Sequence, residues 1–431
     1  MKKIAIIGGG WYGCHIARTL KLAGFDVMLF ESNEDIFHGI SGNFGTRLHV
    51  GPHYPRSAKT RQSCQAGHAE FINTYPELLV EHAYSIYALG ERDADNEPPR
   101  VDEATFRKVV NENKNCREID PIKWGYSELQ SAFDIEEKSI ITGNLLREKW
   151  KAYLDRAGVK VICNFKVQKL QRIGDKTTVI GSSCSDNFDY IVNTTSYQAL
   201  LPPPELSLPL DLDIVYQPCL ALIYEDKLSK DISLPPFSFI VMDGWFPCIE
   251  AYIEEKEECE ATENTCKRYG ITHSKFTIMG SFKTLAAANA CLEKIDEAFI
   301  KEHVQPQCED QVKRFWPLFN TERRFKYIGW RGTVLAKIKT NREFRGAVTF
   351  ARDRVIYVVP GKVCNIFNVA RETMALIKNE NIVQHDTYQY IRGGTLDDAA
   401  IEITEAVDPK IGHTCTLQTY AEITGDDLKN N

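Results

Sequence analysis

No apolar run in the chain approaches the ~20 residues that span a bilayer, so no transmembrane segment is expected. Positive charge is in deficit: 52 Lys and Arg stand against 59 Asp and Glu, a formal charge of -7. Without a surplus of cations to displace counterions, a nucleic-acid partner is not expected. The 13 cysteines, scattered from Cys14 to Cys415, include no CxxC pair, and no His/Cys/Asp cluster has zinc spacing. No metal and no disulfide-stapled scaffold is therefore expected, and reduced thiols point to a cytoplasmic protein. Lys2 and Lys3 precede an apolar run as in a signal peptide, but Gly8, Gly9 and Gly10 cut it after about five residues, short of the ~7 to 15 required. There is no internal repeat and no low-complexity run.

What is present suits a soluble globular protein. Hydrophobic residues make up 43%, charged residues 26% and aromatics 10%, which excludes disorder as the main state. The 431 residues exceed what one ordinary core holds, so two domains or one domain with a large insert is expected.

The first thirty residues carry the strongest signal. Ile4 to Ile7 is a short continuous apolar run, as in a parallel strand covered on both faces. GGGWYG follows, Gly8 to Gly13. In a GxGxxG turn Gly8 allows the tight bend, Gly10 lets the backbone approach a pyrophosphate, and Gly13 lets helix and strand pack closely. Ile16, Ala17, Leu20 and Ala23 then mark one helical face, Gly24 caps it, and Val27 to Phe30 form a second strand ending in Glu31. A carboxylate there accepts hydrogen bonds from an adenosine ribose. With no arginine alongside, a 2'-phosphate would meet like charge, so NADP is disfavoured and FAD or NAD remains.

Three later segments choose between them. From Ser41 the chain reads SGNFGTRLHVGPHYPRS, in which Leu48, His49, Gly51 and Tyr54 follow a Leu/Ile-His-x-Gly-x-x-Tyr pattern. Asn144 to Ala157 reads as an amphipathic helix closed by Gly158, leading to FKVQKL, a hairpin signal at Gly174 and Asp175, and a strand DYIVN running into TTSY. Arg354 to Val359 reads as a strand, Pro360 and Gly361 as a turn, and Cys364 to Ile377 as a helix. In this order they resemble the D-amino-acid oxidase superfamily of FAD-dependent oxidoreductases, and within it the 2-hydroxyglutarate and glycerol-3-phosphate dehydrogenases. Val50 and Pro52 depart from the pattern, as do the polar Thr194 and Thr195 where Ala or Gly is usual.

The resemblance implies an α/β fold: a Rossmann-like FAD-binding domain of the glutathione-reductase type 2 with an inserted antiparallel-sheet α+β substrate domain. The cofactor domain would comprise residues 1–75, 138–203 and 325–385, the substrate domain 76–137 and 204–324, and a C-terminal extension 386–431. FAD would lie against Gly8, Gly10, Trp11, Tyr12 and Gly13 of the first turn, then Glu31 and Ser32, and Gly45, Thr46, Arg47 and Leu48 past the flavin. Val167 would meet adenine through its backbone. Thr194 and Thr195 would close over the cofactor, and Gly361, Lys362, Val363, Cys364 and Asn365 would lie under the flavin. Unpaired N–H groups at that last helix start would stabilise the charge of reduced flavin.

Oxidation of a carbon bearing an amine or hydroxyl needs an anchor for any carboxylate, and a hydroxyl substrate also needs a base. The anchor expected is Arg331, in YIGWRGTVL, with Arg47 second; the base expected is His49 or His53. No second GxGxxG marks an NAD(P)H domain, so electrons should come from a small-molecule substrate, an amino or hydroxy acid or an amine. The Gly-Asp motif of aromatic hydroxylases is missing near Arg354, leaving hydroxylation a minor option. A non-redox flavoprotein such as a sugar-nucleotide mutase, or a flavin-binding protein without turnover, stays open, as does a homo-oligomer.

Between the cofactor segments, LDIVYQPCLALIY, FSFIVMDGWFPCIEAYI and KFTIMGSF suggest an antiparallel sheet, and Ala286 to His303 a helix. Glu254 to Tyr269 is a highly charged stretch with no chemical role expected.

Overall fold

The computed structural model describes residues 1–181, 185–203, 206, 208–227, 235–252, 267–340 and 344–404. Most of the charged stretch from Glu254 and the tail beyond 404 lie outside the described residues. Among those described, no helix is long and apolar enough to cross a membrane.

One eight-stranded sheet is built around the opening strand Lys3–Ile7, which pairs in parallel with Asp26–Phe30 on one side and Tyr190–Asn193 on the other. Lys160–Ile162 extends it at one edge; Val355–Val359, Val348–Arg352, Gln389–Ile391 and Ile382–Gln384 extend it at the other. Helix Trp11–Leu22 covers one face beside Gly143–Ala157 and Ile366–Lys378. Between these helices lies a buried aromatic cluster. Trp11 meets Phe37, Phe71 and Trp150 edge-on at 5.1, 5.7 and 5.7 Å, and Tyr75 packs against Trp150 and Phe367. Truncating one such buried ring to Ala costs ~3–5 kcal/mol.

This is the α/β, Rossmann-like arrangement that the sequence implies. Gly158 closes its helix with a left-handed φ of 73°, and Gly174 turns the hairpin between Val167–Ile173 and Lys176–Gly181. The helix Ala58–Thr74, capped by Ser57, carries no strong apolar stripe and was not expected.

The second eight-stranded sheet runs in the order Phe325–Ile338, Ile214–Asp226, Lys267–His273, Pro247–Ala251, Phe237–Met242, Tyr84–Gly90, Leu129–Ile135 and Cys116–Ile119. Its pairings are antiparallel except for Phe237–Met242 with Tyr84–Gly90. Three readings need correction here. Residues 325–338, assigned above to the cofactor part, pair along their length with Ile214–Asp226 in this sheet. KFTIMGSF is no strand; it makes two isolated bridges, Cys219–Ile278 and Tyr216–Phe282, and the neighbouring KRYGITH supplies the strand. The helix read from Ala286 to His303 stops at Leu292, because Asp296 caps a new start by accepting the Phe299 N–H; a π turn at Ile300–Val304 then leads into Gln305–Phe315. The reading of 386–431 as an extension also meets a difference: Gln389–Ile391 joins the first sheet and helix Thr395–Thr404 packs on it.

Candidate active site

The first glycine turn is closed by sterics. Gly8 has φ +106°, and a Cβ there would sit 2.7 Å from the Thr194 carbonyl oxygen. A Cβ on Gly13 would lie 1.8 Å from the Gly8 carbonyl oxygen. Thr194 crosses the turn, its hydroxyl donating to the Ile7 and Gly8 carbonyls at 2.9 and 3.0 Å. Thr195 is held in the adjoining loop by Asn193 Oδ1 and Ala199 O. The helix after the turn begins at Trp11; its N-cap Gly10 offers no capping side chain, the Trp11 N–H donates to Ser41 Oγ at 3.4 Å, and the start of the helix suits an anion.

Glu31 is buried and fastens this turn to the second strand: its Oε2 accepts the Gly9 N–H at 2.7 Å. Oε1 accepts from the Ser32 hydroxyl and from both nitrogens of Asn33. One acceptor position on Oε2 remains for a ribose hydroxyl. Val167 begins a neighbouring strand and packs with Phe30 and Phe165, beside the Phe165 N–H bond to Glu31 O. Gly10 approaches only the Ser41 side chain.

The late turn meets the early one through a single side chain. The Tyr12 hydroxyl accepts the Gly361 N–H at 3.0 Å and donates to the Lys362 carbonyl at 2.8 Å. A Cβ on Gly361 would lie 2.2 Å from Ala347 N, so only glycine fits between the two. Asn365 and Cys364 point inward: Asn365 Oδ1 accepts the Lys362 N–H at 2.8 Å, its amide reaches Ser63, and Cys364 Sγ is 3.5 Å from Cys64 Sγ.

A cleft of about 790 Å³ opens between the two sheets, within the usual size range of small-molecule sites. Ten of the residues singled out from sequence line it: Trp11, Tyr12, Gly45, Thr46, Arg47, His49, His53, Gly361, Lys362 and Val363. Leu48 is buried and does not line it. His49 and His53 stack with ring centroids 4.8 Å apart, each edge-on to Tyr54. Burial, reinforced by Arg47 and Lys362, pushes both imidazoles well below the usual histidine range, so both are neutral near pH 7.

Arg47 does not face the cleft as a free cation. Its Nε lies 3.2 Å from Glu250 Oε2 and its Nη1 3.4 Å from the Tyr87 hydroxyl. Burial opposes its charge, but Tyr87, Glu250 and Glu137 outweigh that and hold the guanidinium protonated. Lys362, half-buried, is different. Its ammonium sits 5.1 Å over the Tyr54 ring, and among the described residues no carboxylate pairs with it. Burial, with Arg345 and Arg47 nearby, pushes its pKa down to about 7. These residues fit an adenine dinucleotide with a flavin: a helix start and a buried acid beside the first glycine turn suit a pyrophosphate and a ribose, and a cation with no carboxylate partner among the described residues beside the other suits a ring that gains negative charge on reduction.

Arg331 is the clear correction. It is exposed on the long strand opposite Ala221, donates to its neighbour's carbonyl, Trp330 O, and does not line the cleft; that strand reaches the cleft only at Leu335–Thr340. Arg331→Ala is therefore expected to leave the Michaelis constant within about twofold, as for surface substitutions generally; steady-state kinetics checks this. Sequence reading missed Tyr87, Glu137, Glu250 and Arg345, which stand in segments without a motif.

The family model described as FAD dependent oxidoreductase (DAO) matches residues 3–220. Over 428 residues, 98% of this chain and 97% of its relative, the sequence is 41% identical to FAD-dependent monooxygenase kojA of Aspergillus flavus. Glycine oxidase from Geobacillus kaustophilus superposes with a TM-score of 0.64 at 11% identity, covering 94% of this chain and 100% of that one. L-alpha-glycerophosphate oxidase from Mycoplasma pneumoniae, solved with FAD bound, gives 0.61 at 13% identity over 88% and 95%. At such identities the structures show the fold alone. Sequence, fold and the paired glycine turns agree: the chain belongs to the DAO family of FAD-dependent oxidoreductases, and FAD is its cofactor.

Proposed function

We propose that the enzyme oxidises a carbon bearing a hydroxyl or amine in a small acid, with hydroxyl substrates favoured by the site. One observation carries this reading: a neutral, stacked histidine pair and an uncompensated ammonium share one cleft. When bound, FAD accepts the hydride. His49 takes the hydroxyl proton, with His53 behind it; Lys362 and Arg345 draw in the carboxylate; the Tyr12 bridge keeps the two cofactor turns at fixed separation.

Anaerobic titration of the purified holoenzyme with hydroxy acids, amino acids and amines tests the proposal through bleaching of the flavin. Bleaching by a hydroxy acid supports it; a flavin that no acid or amine reduces removes it.

The pKa of Lys362 sets the pH course of binding. The side chain is cationic below pH 7 and neutral above, so KM for a carboxylate substrate should rise as pH increases through about 7. Losing a charge-assisted contact is worth roughly tenfold or more in affinity. In Lys362→Met the constant should be high and flat across the same range.

A second reading has one specific support: the relative at 41% identity over 98% of this chain is named a monooxygenase. That name weighs against treating hydroxylation as minor merely because a Gly-Asp motif is absent. Turnover under ¹⁸O₂ separates the two, since label in the organic product belongs to oxygen insertion and an unlabelled product with peroxide belongs to oxidation.

A further inference from the structure

Glu137 belongs to no sequence motif, yet its side chain is completely buried next to His49, which lines the cleft. The strand Lys138–Ile140 pairs with Thr46–Leu48, Leu48 opposite Lys138, and this register sets Glu137 beside the next residues, His49 and Val50. Its Oε2 accepts the Val50 N–H at 3.0 Å, and its Oε1 accepts the Tyr87 hydroxyl at 2.7 Å. Oε1 is also 3.6 Å from His49 Nδ1, a ring nitrogen that is buried with no hydrogen-bond partner. That distance is too long for a hydrogen bond, but bonds of this kind are often long before substrate binds.

We propose that Glu137 is a positioning residue for His49: it holds the imidazole with Nδ1–H toward the carboxylate, leaves Nε2 as the proton-accepting atom, and balances the charge His49 gains with a proton. The inference rests on the reading of His49 as the base. The charges around that ring otherwise oppose protonation. Lys362 and Arg345 press on it from the late turn and the approach to it, Arg47 from its own strand, and His68 from the helix Ala58–Thr74; His53 stacks on it. Glu137 is the carboxylate found within ion-pair reach of His49 among the described residues. Second partners of this kind fix which ring nitrogen carries the proton.

The test uses the FAD-loaded enzyme with Glu137→Gln, which keeps shape and removes charge, and Glu137→Asp as the conservative variant. Nitrogen-15 NMR of the histidine rings, with His49 assigned through His49→Asn, reads the tautomer without turnover. The Nδ1–H form is expected in the native enzyme and its loss in Glu137→Gln. Flavin reduction by a hydroxy acid should slow ~10- to 100-fold with KM within about twofold, and Glu137→Asp should recover part of the rate. The acid limb of kcat/KM should move to lower pH, because His49 loses the negative charge of Glu137 beside it.

Tyr87→Phe gives the opposite sign and covers the case in which Glu137→Gln does not fold. It removes a donor from Oε1 and frees that oxygen for His49, so the limb should move to higher pH. An unchanged tautomer in Glu137→Gln, or pH limbs that stay put in the variants, would overturn the proposal. Full flavin reduction in His49→Asn would instead remove the base reading, and the ring tautomer would still decide what Glu137 does.

Discussion

Gly13→Ala is expected to yield a protein that cannot be reconstituted with FAD and stays colourless. The new methyl would stand 1.8 Å from the Gly8 carbonyl oxygen, nearly half the normal contact distance. It would also stand 2.7 Å from the Thr194 hydroxyl. Neither neighbour is a flexible side-chain tip that swings away. Gly8 is fixed by its N–H bond to Phe30 O at 2.8 Å, and Thr194 by its bonds to Ile7 and Gly8. Relief therefore opens the turn and shifts the start of helix Trp11–Leu22, moving the N–H groups we propose for the pyrophosphate, and with them Tyr12, which is bonded to the late turn. Overpacking of this kind costs ~1–3 kcal/mol or more in stability, and the misplaced turn adds loss of affinity. Gly10→Ala is the informative contrast. Its methyl meets only the Ser41 Oγ at 2.9 Å, so the fold should survive and any loss should show in FAD affinity alone; a bulkier residue at Gly10 is expected to prevent binding outright. Visible absorbance after reconstitution, with a melting curve, distinguishes these outcomes. A yellow Gly13→Ala protein with native affinity would show that this turn does not carry the cofactor.

Both glycine turns were legible because each performs a local steric task that leaves a mark in a few consecutive residues. Gly8 and Gly13 are spaced by the geometry of one bend, and Gly361 by the approach of Ala347 across it. Lys362 and His49 could be named because they adjoin such marks. Arg331 failed for the complementary reason. An arginine on a 14-residue strand can sit at any of several heights, and nothing in YIGWRGTVL says that the strand reaches the cleft only from Leu335 onward. Glu137, Tyr87 and Glu250 were invisible in another way. Tyr87 and Glu250 come from different strands and Glu137 from the connection just before Lys138–Ile140, and only the pairing of distant segments makes their side chains converge on Arg47 and His49. The same holds for KFTIMGSF: its composition suits a strand, but Lys267–His273 takes the place beside Ile214–Asp226, and tertiary pairing overrides local preference.

His49→Asn is expected to lower the rate of flavin reduction by a hydroxy acid by ~10²- to 10⁴-fold, the usual contribution of a positioned base. The cleft and the cofactor should be unaffected, since the flavin contacts we propose are the two glycine turns and not this ring, so the visible spectrum should match the native enzyme. His53→Asn should cost less: its ring stacks on His49 and on the edge of Tyr54, which supports the base without replacing it. The pH profile carries the sign. A base works only when neutral, and burial together with Lys362 and Arg47 keeps His49 neutral well below its ordinary range. In the native enzyme His49 should therefore cause no loss of kcat/KM across the ordinary histidine range: for a carboxylate substrate kcat/KM should rise as pH falls through about 7, where Lys362 gains its proton, and drop only in more acidic solution. Amine substrates supply the discriminating comparison, because a neutral amine gives up hydride without first losing a hydroxyl proton. If amine and hydroxyl substrates both lose the full factor in His49→Asn, the ring orders the substrate and takes no proton. If the loss is confined to hydroxyl substrates, proton transfer at His49 is the step that the buried histidine pair was built to serve.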